Sequence, residues 1–365
     1  MQHYPFQCET YFPRNVWYIG AKSDEVGEAL LGRTFFDERV LLYRKMDGEV
    51  TALSGLCPHR FLPLEHGVRI GDKVQCGYHG ITFDETGACV RIPSQEEVPN
   101  RCHLRTYPTL EAGGFVWIWM GDPEGASETL MPDLEAAGLQ GPGWKITPTK
   151  VWHIEGRAQL VVDNLFDLSH VPFAHATAAK FLTDQAPPPD YETFDPGFQS
   201  PLNVGQRNGR LTAWREVEDT VPAPSLGMLF PHIRSPKVTY HVGTEMLSPA
   251  LINASYMDVW GEGDDTPARI NFVHGVTPET ATSTHMFLST TRNYMTESEE
   301  MCGLVRTMNL GIVSQDVAIY NAIEPHLAGR TTKDEVTVTA DAGGVQARRL
   351  LQKMMAQEQA QPVTP

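Results

Sequence analysis

Long hydrophobic runs are missing from this chain of 365 residues. Nothing approaches the ~20 apolar residues of a spanning helix, so a helical membrane protein is excluded and no membrane partner is expected. The opening, MQHYPFQCETYFPRN, has no basic patch leading into an apolar stretch, so it does not read as a signal peptide. Positive charge is scarce: 29 Lys and Arg face 45 Asp and Glu, a formal net charge of −16. That balance argues against nucleic-acid binding. No Rossmann fingerprint or flavin motif occurs, so the chain is not expected to take hydride itself. Cysteine is sparse. Six are present, and Cys8, Cys89, Cys102 and Cys302 are scattered without the spacing of a disulfide scaffold. A reducing, cytoplasmic setting fits. What remains is ordinary globular composition, 41% hydrophobic, at a length that predicts two domains.

The other two cysteines carry chemistry. Cys57-Pro58-His59 and Cys76-Gly77-Tyr78-His79 form the pattern C-x-H followed by C-x-x-H. Each half offers one thiolate and one imidazole in a turn-prone loop. Two cysteines on one metal and two histidines on the other is the ligand set of a Rieske [2Fe–2S] centre, whose potential lies at roughly −150 to +300 mV. A single structural zinc could also take two cysteines and two histidines. Zinc sites ordinarily pair like ligands, whereas each half here mixes them.

A second constellation lies at Val161–His175, VVDNLFDLSHVPFAH. Asn164, Asp167 and His170 recur every three residues and share one face of a helix. Pro172 disfavours a helical residue before it, so the helix is expected to break near Val171 and let His175 fold back beside His170. Two histidines on a broken helix fit a mononuclear Fe(II) site with two histidines and one carboxylate, whose open positions face O2 and substrate. A buried, hydrogen-bonded histidine pair is the plainer alternative.

The order C-x-H, C-x-x-H, N-x-x-D-x-x-H-x-x-x-x-H resembles the oxygenase (alpha) component of Rieske non-heme iron, aromatic ring-hydroxylating oxygenases. The likeness runs from FPRNVWYIGA through LCPHRFLPLEHG and VQCGYHGITFDETG to the second motif. It is nearest to the branch of vanillate O-demethylases and dicamba monooxygenase. The resemblance implies that His170 and His175 bind iron. It implies that Asp167 bridges a Rieske histidine of one subunit to an iron-bound histidine of the next, in a head-to-tail homotrimer. Asn164 and Asp167 are the catalytic candidates. The family's carboxylate ligand sits on a late helix, often after a second acid. The matching segment here is Val313-Ser314-Gln315-Asp316, so Asp316 is the expected ligand, with Glu324 and Asp334 as alternatives. Asn253 and His274 match carboxylate-binding positions of dicamba monooxygenase, although each also reads as a buried polar group. The resemblance further implies NADH as reductant through a separate flavin reductase, with or without a ferredoxin. It implies an aromatic substrate, commonly a carboxylate, whose methoxy group is hydroxylated with O2 and lost as formaldehyde. Ring dihydroxylation, N-demethylation and aryl-methyl or sulfonate oxidation are the alternatives; a non-enzymatic Rieske or zinc protein is a remote one. A ferredoxin is acidic, so docking on this acidic chain needs a local basic patch. Arg60, Arg69 and Lys73 beside the cluster ligands are the candidates, if they are not merely solvated charges.

The fold class expected is α+β. An N-terminal all-β Rieske domain spans residues 12–122, where short strands alternate with Gly and Pro. A linker spans 123–149. A catalytic domain spans 150–358, and the resemblance implies a curved antiparallel sheet flanked by helices, helix-grip-like. Helices are expected near Gln159–His170, Glu299–Glu324 and Asp341–Glu358. Strands are expected at Gly209–Trp214, Lys237–Val242, Ala250–Trp260, Arg269–Val276 and Thr284–Thr291. The proline-rich stretch Gln185–Pro201 reads as an active-site cover or a surface loop, and residues 359–365 as a disordered tail.

Overall fold

Short strands separated by glycine turns build the first half of the chain. The structure, a computed structural model, describes residues 3–6, 8–175 and 200–360. It divides into two units, one of Arg14–Met131 with Thr277–Ala281, the other of Met1–Pro13, Pro132–Val276 and Thr282–Pro365. The first unit holds three small sheets. β1 (Trp17–Lys22) pairs with β11 (Phe115–Trp119), and β11 with β10 (Thr109–Ala112). β2 (Leu31–Phe35), β3 (Glu38–Arg44), β4 (Val50–Ser54) and β9 (Thr106–Tyr107) form the second. β5 (Val68–Ile70), β6 (Lys73–Gln75), β7 (Thr82–Phe83) and β8 (Cys89–Arg91) form the third. All five residues of β11, FVWIW, are buried. That is what a continuous apolar run in a central strand requires.

The second unit is organised by a seven-stranded antiparallel sheet. Its order is β12 (Lys145–Ile154), β18 (Ser283–Arg292), β17 (Ala268–Thr280), β16 (Leu251–Trp260), β15 (Val238–Ser248), β14 (Arg210–Thr220) and β13 (Asn203–Arg207). Register shifts interrupt β12, β14, β15 and β16, the one in β16 falling between Ala254 and Met257. Bulges of this kind bend and twist the strand that carries them, so the curvature is written into these interruptions. Ser255, inside the β16 shift, takes φ 53.

Helices cover one face of this sheet. α1 (Ala158–Phe166) gives its Leu165 carbonyl to the Thr244 hydroxyl of β15 at 2.7 Å. The short α2 (Val171–Ala174) and α3 (Pro224–Leu229) follow. α4 (Glu299–Ile323) starts at Ser298, whose side chain accepts from the Met301 amide, and carries Glu299 and Glu300 in its first turn. Both features suit a helix N-terminus. Its Asn309 donates to Thr290 of β18 at 3.2 Å. α5 (Ala342–Ala360) packs Gly343 against Phe166 and Ala213, where a Cβ would come within 3.0 Å of the Phe166 carbonyl. Leu168, Met301 and Val305 join Val217, Tyr240, Val242, Ile270 and Phe272 in one apolar layer between helices and sheet.

Two local expectations need revision. α1 ends at Phe166, and the chain turns at Asp167 (φ −106, ψ 99), four residues before the expected break. Val171 is helical (φ −53, ψ −47), and Pro172 stands in the first turn of α2. A proline is tolerated there because a first-turn amide has no intrahelical partner. The stretch read as linker carries two 3-10 turns, Pro123–Gly125 and Glu128–Leu130, and β12 begins inside it at Lys145. α5 runs to Ala360, so only 361–365 of the expected tail lie beyond it, outside the described residues. Residues 185–199 of the expected cover also lie outside the described residues.

Candidate metal centres and active site

The turn at Asp167 places one histidine after it and a second at the end of α2. Among the described residues, His170, His175 and Asp316 form the one group of three or more metal-ligating side chains. Their ligand atoms all lie within 4.8 Å of one another. Asp316 Oδ1 is 3.6 Å from His170 Nε2 and 3.4 Å from His175 Nε2. Both outer ring nitrogens therefore turn toward the carboxylate. The inner nitrogens are held elsewhere. His170 Nδ1 donates to the Asp167 backbone carbonyl. A carbonyl can only accept, so Nε2 carries the lone pair; it accepts from Asn164 Nδ2 at 3.3 Å and is the nitrogen a metal would take. His175 Nδ1 lies 2.9 Å from Gln315 Oε1, which orients it in the same sense.

Asp316 points inward because of its helix position. α4 buries Met301, Val305, Asn309, Val313, Asp316, Val317 and Tyr320, a stripe at helical spacing. Burial raises the Asp316 carboxyl above its ordinary value, against the pull of His175, His170 and Asn164. Burial also lowers His170. Asn164 Nδ2 donates to Asp316 Oδ1 at 3.2 Å, and the Tyr320 hydroxyl donates to Asn164 Oδ1 at 2.8 Å. Sequence reasoning missed Tyr320, one turn past Asp316, and undervalued Gln315. The alternative carboxylates stand apart from this group. Glu324 is bound by Arg157 through Nε, Nη2 and the backbone amide. Asp334 caps its own turn through Thr331.

The C-x-H and C-x-x-H loops are near copies. In each, the residue four after the cysteine returns its amide to the cysteine carbonyl: Phe61 to Cys57 at 2.8 Å, Gly80 to Cys76 at 3.1 Å. Both adopt positive φ, 59 and 70. Glycine takes that conformation freely; Phe61 is held there at a cost of about 1–3 kcal/mol. Gly77 is required for close approach, since a Cβ would sit 2.7 Å from the His66 carbonyl. Cys57 and Cys76 are buried, and burial with Cys76 alongside pushes the Cys57 thiol up to about 11. His59 and His79 stand at the surface with their Nδ1 atoms 3.1 Å apart. Two imidazole nitrogens on one tetrahedral metal, with bonds of ~2.0–2.1 Å, are about 3.3 Å apart. The sulfurs inside and nitrogens outside thus fit the two ends of a [2Fe–2S] cluster. The buried triad fits iron by its donor set. Burial disfavours charge on the acid and the base alike, and a divalent cation reverses that preference.

Comparison with known proteins decides the family. Residues 154–357 match the vanillate O-demethylase oxygenase C-terminal domain, and residues 16–108 the Rieske [2Fe-2S] domain. The chain belongs to the vanillate O-demethylase oxygenase family. It is 31% identical over 315 residues to the dicamba O-demethylase oxygenase component of Stenotrophomonas maltophilia, covering 86% of this chain and 88% of that protein. It is 31% identical over 358 residues to the toluene-4-sulfonate monooxygenase system iron-sulfur subunit of Comamonas testosteroni, covering 95% and 98%. The crystal structure of dicamba monooxygenase with non-heme iron and dicamba superposes with a TM-score of 0.78 at 27% identity, covering 96% and 99%. This oxygenase therefore takes a Rieske [2Fe–2S] cluster and a mononuclear iron, as one component of a multicomponent monooxygenase.

The structure separates the two candidate substrate contacts of this oxygenase. His274 follows Ile270 and Phe272 on the sheet face that meets the helices, and pairs with Ile252 across β16. Burial pulls it down to about 4, and its Nδ1 donates to the Phe272 carbonyl at 2.8 Å, leaving a neutral ring with Nε2 as acceptor. Asn253 points to the opposite face. It is fully buried and donates to Glu245 at 3.1 Å and Asn271 at 2.8 Å, in a network that Arg269 completes. Its neighbours there are polar and internal, so it is not brought together with His274. Of the three basic candidates, Arg60 and Lys73 are exposed. Arg69 is not a free charge: it lies against Tyr43 and bonds Gly71 and Asp72.

Three outcomes follow for variants. Gln315→Leu should weaken iron binding about 10–100-fold, measured by iron(II) titration of the metal-depleted protein, while Gln315→Glu keeps tight binding. Glu324→Ala should retain the mononuclear iron but lose about 2–3 kcal/mol of stability in denaturant melts, because half-buried Arg157 loses its acid and keeps only the Tyr4 carbonyl and ring. Arg60→Glu with Lys73→Glu should slow reduction by an acidic ferredoxin several-fold, and added salt should do the same to the wild type.

Proposed function

We propose that this oxygenase hydroxylates the methyl group of an aryl methyl ether, with an aromatic carboxylate as the usual substrate. One oxygen atom of O2 enters a methyl C–H bond and the other leaves as water, with two electrons and two protons supplied. The hemiacetal then collapses to a phenol and formaldehyde. The electrons originate from NADH and arrive through a separate flavin reductase, with or without a ferredoxin.

The observation that carries this reading is the buried 2-His-1-carboxylate group beside an apolar layer. Such a triad leaves several metal positions open. His170, His175 and Asp316 are the proposed iron ligands; Cys57, His59, Cys76 and His79 are those of the cluster. Bound iron(II) supplies O2 activation. The chain's own part is to orient and to exclude water. The Asp167 carbonyl and Gln315 aim the two imidazoles, and Tyr320 holds the Asn164 amide so that it faces Asp316. Leu168, Ile270 and Phe272 offer an apolar bed for an aromatic ring. His274, neutral with an accepting Nε2, suits a hydrogen-bond donor on the substrate. The relationship to dicamba O-demethylase favours a methyl ether.

We assign the assembly as a homotrimer in the cytoplasm. Asp167 supports the assembly. Its Oδ1 accepts from Ser169 N at 2.7 Å and Ser169 Oγ at 2.5 Å, which fixes a half-exposed carboxylate beside His170. At the cluster, Phe61 and Tyr78 are 70% and 64% exposed next to His59 and His79. Apolar groups rimmed by polar ones mark a contact surface. A second reading, hydroxylation of an aryl methyl group on a sulfonate, is favoured by the equally extensive likeness to the toluene-4-sulfonate subunit.

The test is a panel of methoxybenzoates and toluene-4-sulfonate, turned over with NADH, a surrogate reductase and O2. Formaldehyde released in step with NADH from a methoxybenzoate is the expected result. A benzylic alcohol from the sulfonate, without formaldehyde from any ether, would support the second reading. A cis-dihydrodiol would contradict both.

A further inference from the structure

Most buried or half-buried arginines of the second unit have an acid. Arg157 has Glu324, Arg348 has Asp163 and Glu335, Arg210 has Asp133 and Glu245, and Arg269 has Glu245 and Asp258. Arg292 has none among the described residues and its Nε is also buried without a partner, but its Nη atoms reach the Met295 and Ser298 carbonyls and the Thr147 hydroxyl, tying the start of α4 to β18. Arg215 differs. It is 8% exposed, and its one hydrogen bond among the described residues runs from Nη1 to the Ser200 carbonyl. Its Nε is buried without a partner. No carboxylate among the described residues pairs with it.

Its position in the sheet gives this charge a direction. Arg215 alternates with Ala213 and Val217 on β14 and pairs with Val242 of β15. Val217 and Val242 belong to the apolar layer that also holds Leu168, two residues before His170, and Ala213 faces Gly343 of α5. Arg215 therefore stands on the helix-covered face, the face of His274, and not among the acids around Glu245. A guanidinium cannot shed its charge. Buried with no counter-ion among the described residues it is unfavourably placed, and a carboxylate or sulfonate meets its planar donors in pairs.

We propose that Arg215 receives the anionic group of the substrate, a carboxylate or sulfonate on the aromatic ring. This rests on the oxygenase reading above and adds the residue that meets the charge of its substrate. Arg215 supplies the attraction and part of the orientation. His274, a neutral acceptor, does not compete for the anion.

The experiment measures equilibrium binding to the loaded, anaerobic holoenzyme by calorimetry. The probes are 4-methoxybenzoate, toluene-4-sulfonate and the uncharged 4-methoxybenzamide. Arg215→Gln should weaken whichever anion the wild type binds by about 30-fold or more, while binding of the amide changes less than threefold. Arg215→Lys keeps the charge without the fork and should fall between. If Arg215→Gln does not fold, the comparison of Arg215→Lys with wild type stands in, and a loss specific to the anion is still required. Equal losses for anion and amide, or no loss for the anion, would overturn the assignment and leave the aryl oxygenase reading intact. Failure of the wild type to bind any of the three would instead count against that reading. The ratio of the carboxylate to the sulfonate affinity in the wild type names the preferred anion.

Discussion

A carboxylate held inside the protein by neutral partners is the constraint on which the catalytic unit depends. Asp316 is 8% exposed along its side chain, yet no Lys or Arg among the described residues pairs with it. Its neighbours among the described residues are the His170 imidazole, which burial keeps from charging, the His175 imidazole and one amide. A buried ionised acid with only such partners is unfavourable by several kcal/mol. A divalent cation between the three donors removes that penalty. The geometry around them is consistent with this purpose. Each donor is fixed by a group that cannot itself take the metal's place: a backbone carbonyl behind His170, an amide oxygen behind His175, and an amide held by a phenol beside Asp316. Such outer partners ordinarily account for much of a site's affinity.

The two units solve opposite problems. The C-x-H and C-x-x-H loops bury Cys57 and Cys76, the proposed sulfur ligands, and present His59 and His79 at the surface, where an electron would enter or leave. The triad instead has Asp316 on the buried stripe of α4 and stands beside the apolar layer through Leu168. Neutral imidazoles on the cluster raise its potential relative to an all-cysteine one. Gln315, where an acid is usual, puts a neutral amide behind His175. The Glu245 network on the far sheet face absorbs Asn253, Asn271 and Arg269 into structure. His274 and Arg215, the proposed substrate contacts, lie on the other, helix-covered face.

Much of this was legible in the chain itself. The four proposed cluster ligands stand in loop motifs, His170, His175 and Asp316 come together as their spacing suggested, and the helices and late strands lie close to where periodicity put them. Asp316 even had an independent signal, since it falls on the buried stripe of Met301, Val305, Val313 and Tyr320. The break at Asp167 was misjudged because a proline can open a helix as well as end one. Asn253 was misplaced because the register shift between Ala254 and Met257 sets which face it takes, and a bulge has no period to read. Arg69 looked free because its partners, Gly71 and Asp72, only meet it after the β5–β6 turn closes. Arg215 had a signal that went unused: in Ala213-Trp214-Arg215-Glu216-Val217 it occupies the inward parity of a strand.

The central claim is that one chain holds a four-ligand cluster and a separate iron whose third ligand is Asp316. Iron and acid-labile sulfide analysis of Asp316→Ala, with the EPR spectrum of the reduced protein, tests it most directly. The wild type should hold about three irons and two sulfides per chain, and the variant about two irons and two sulfides with the Rieske spectrum unchanged. A variant that keeps the third iron, or one that loses its sulfide with it, would contradict the account.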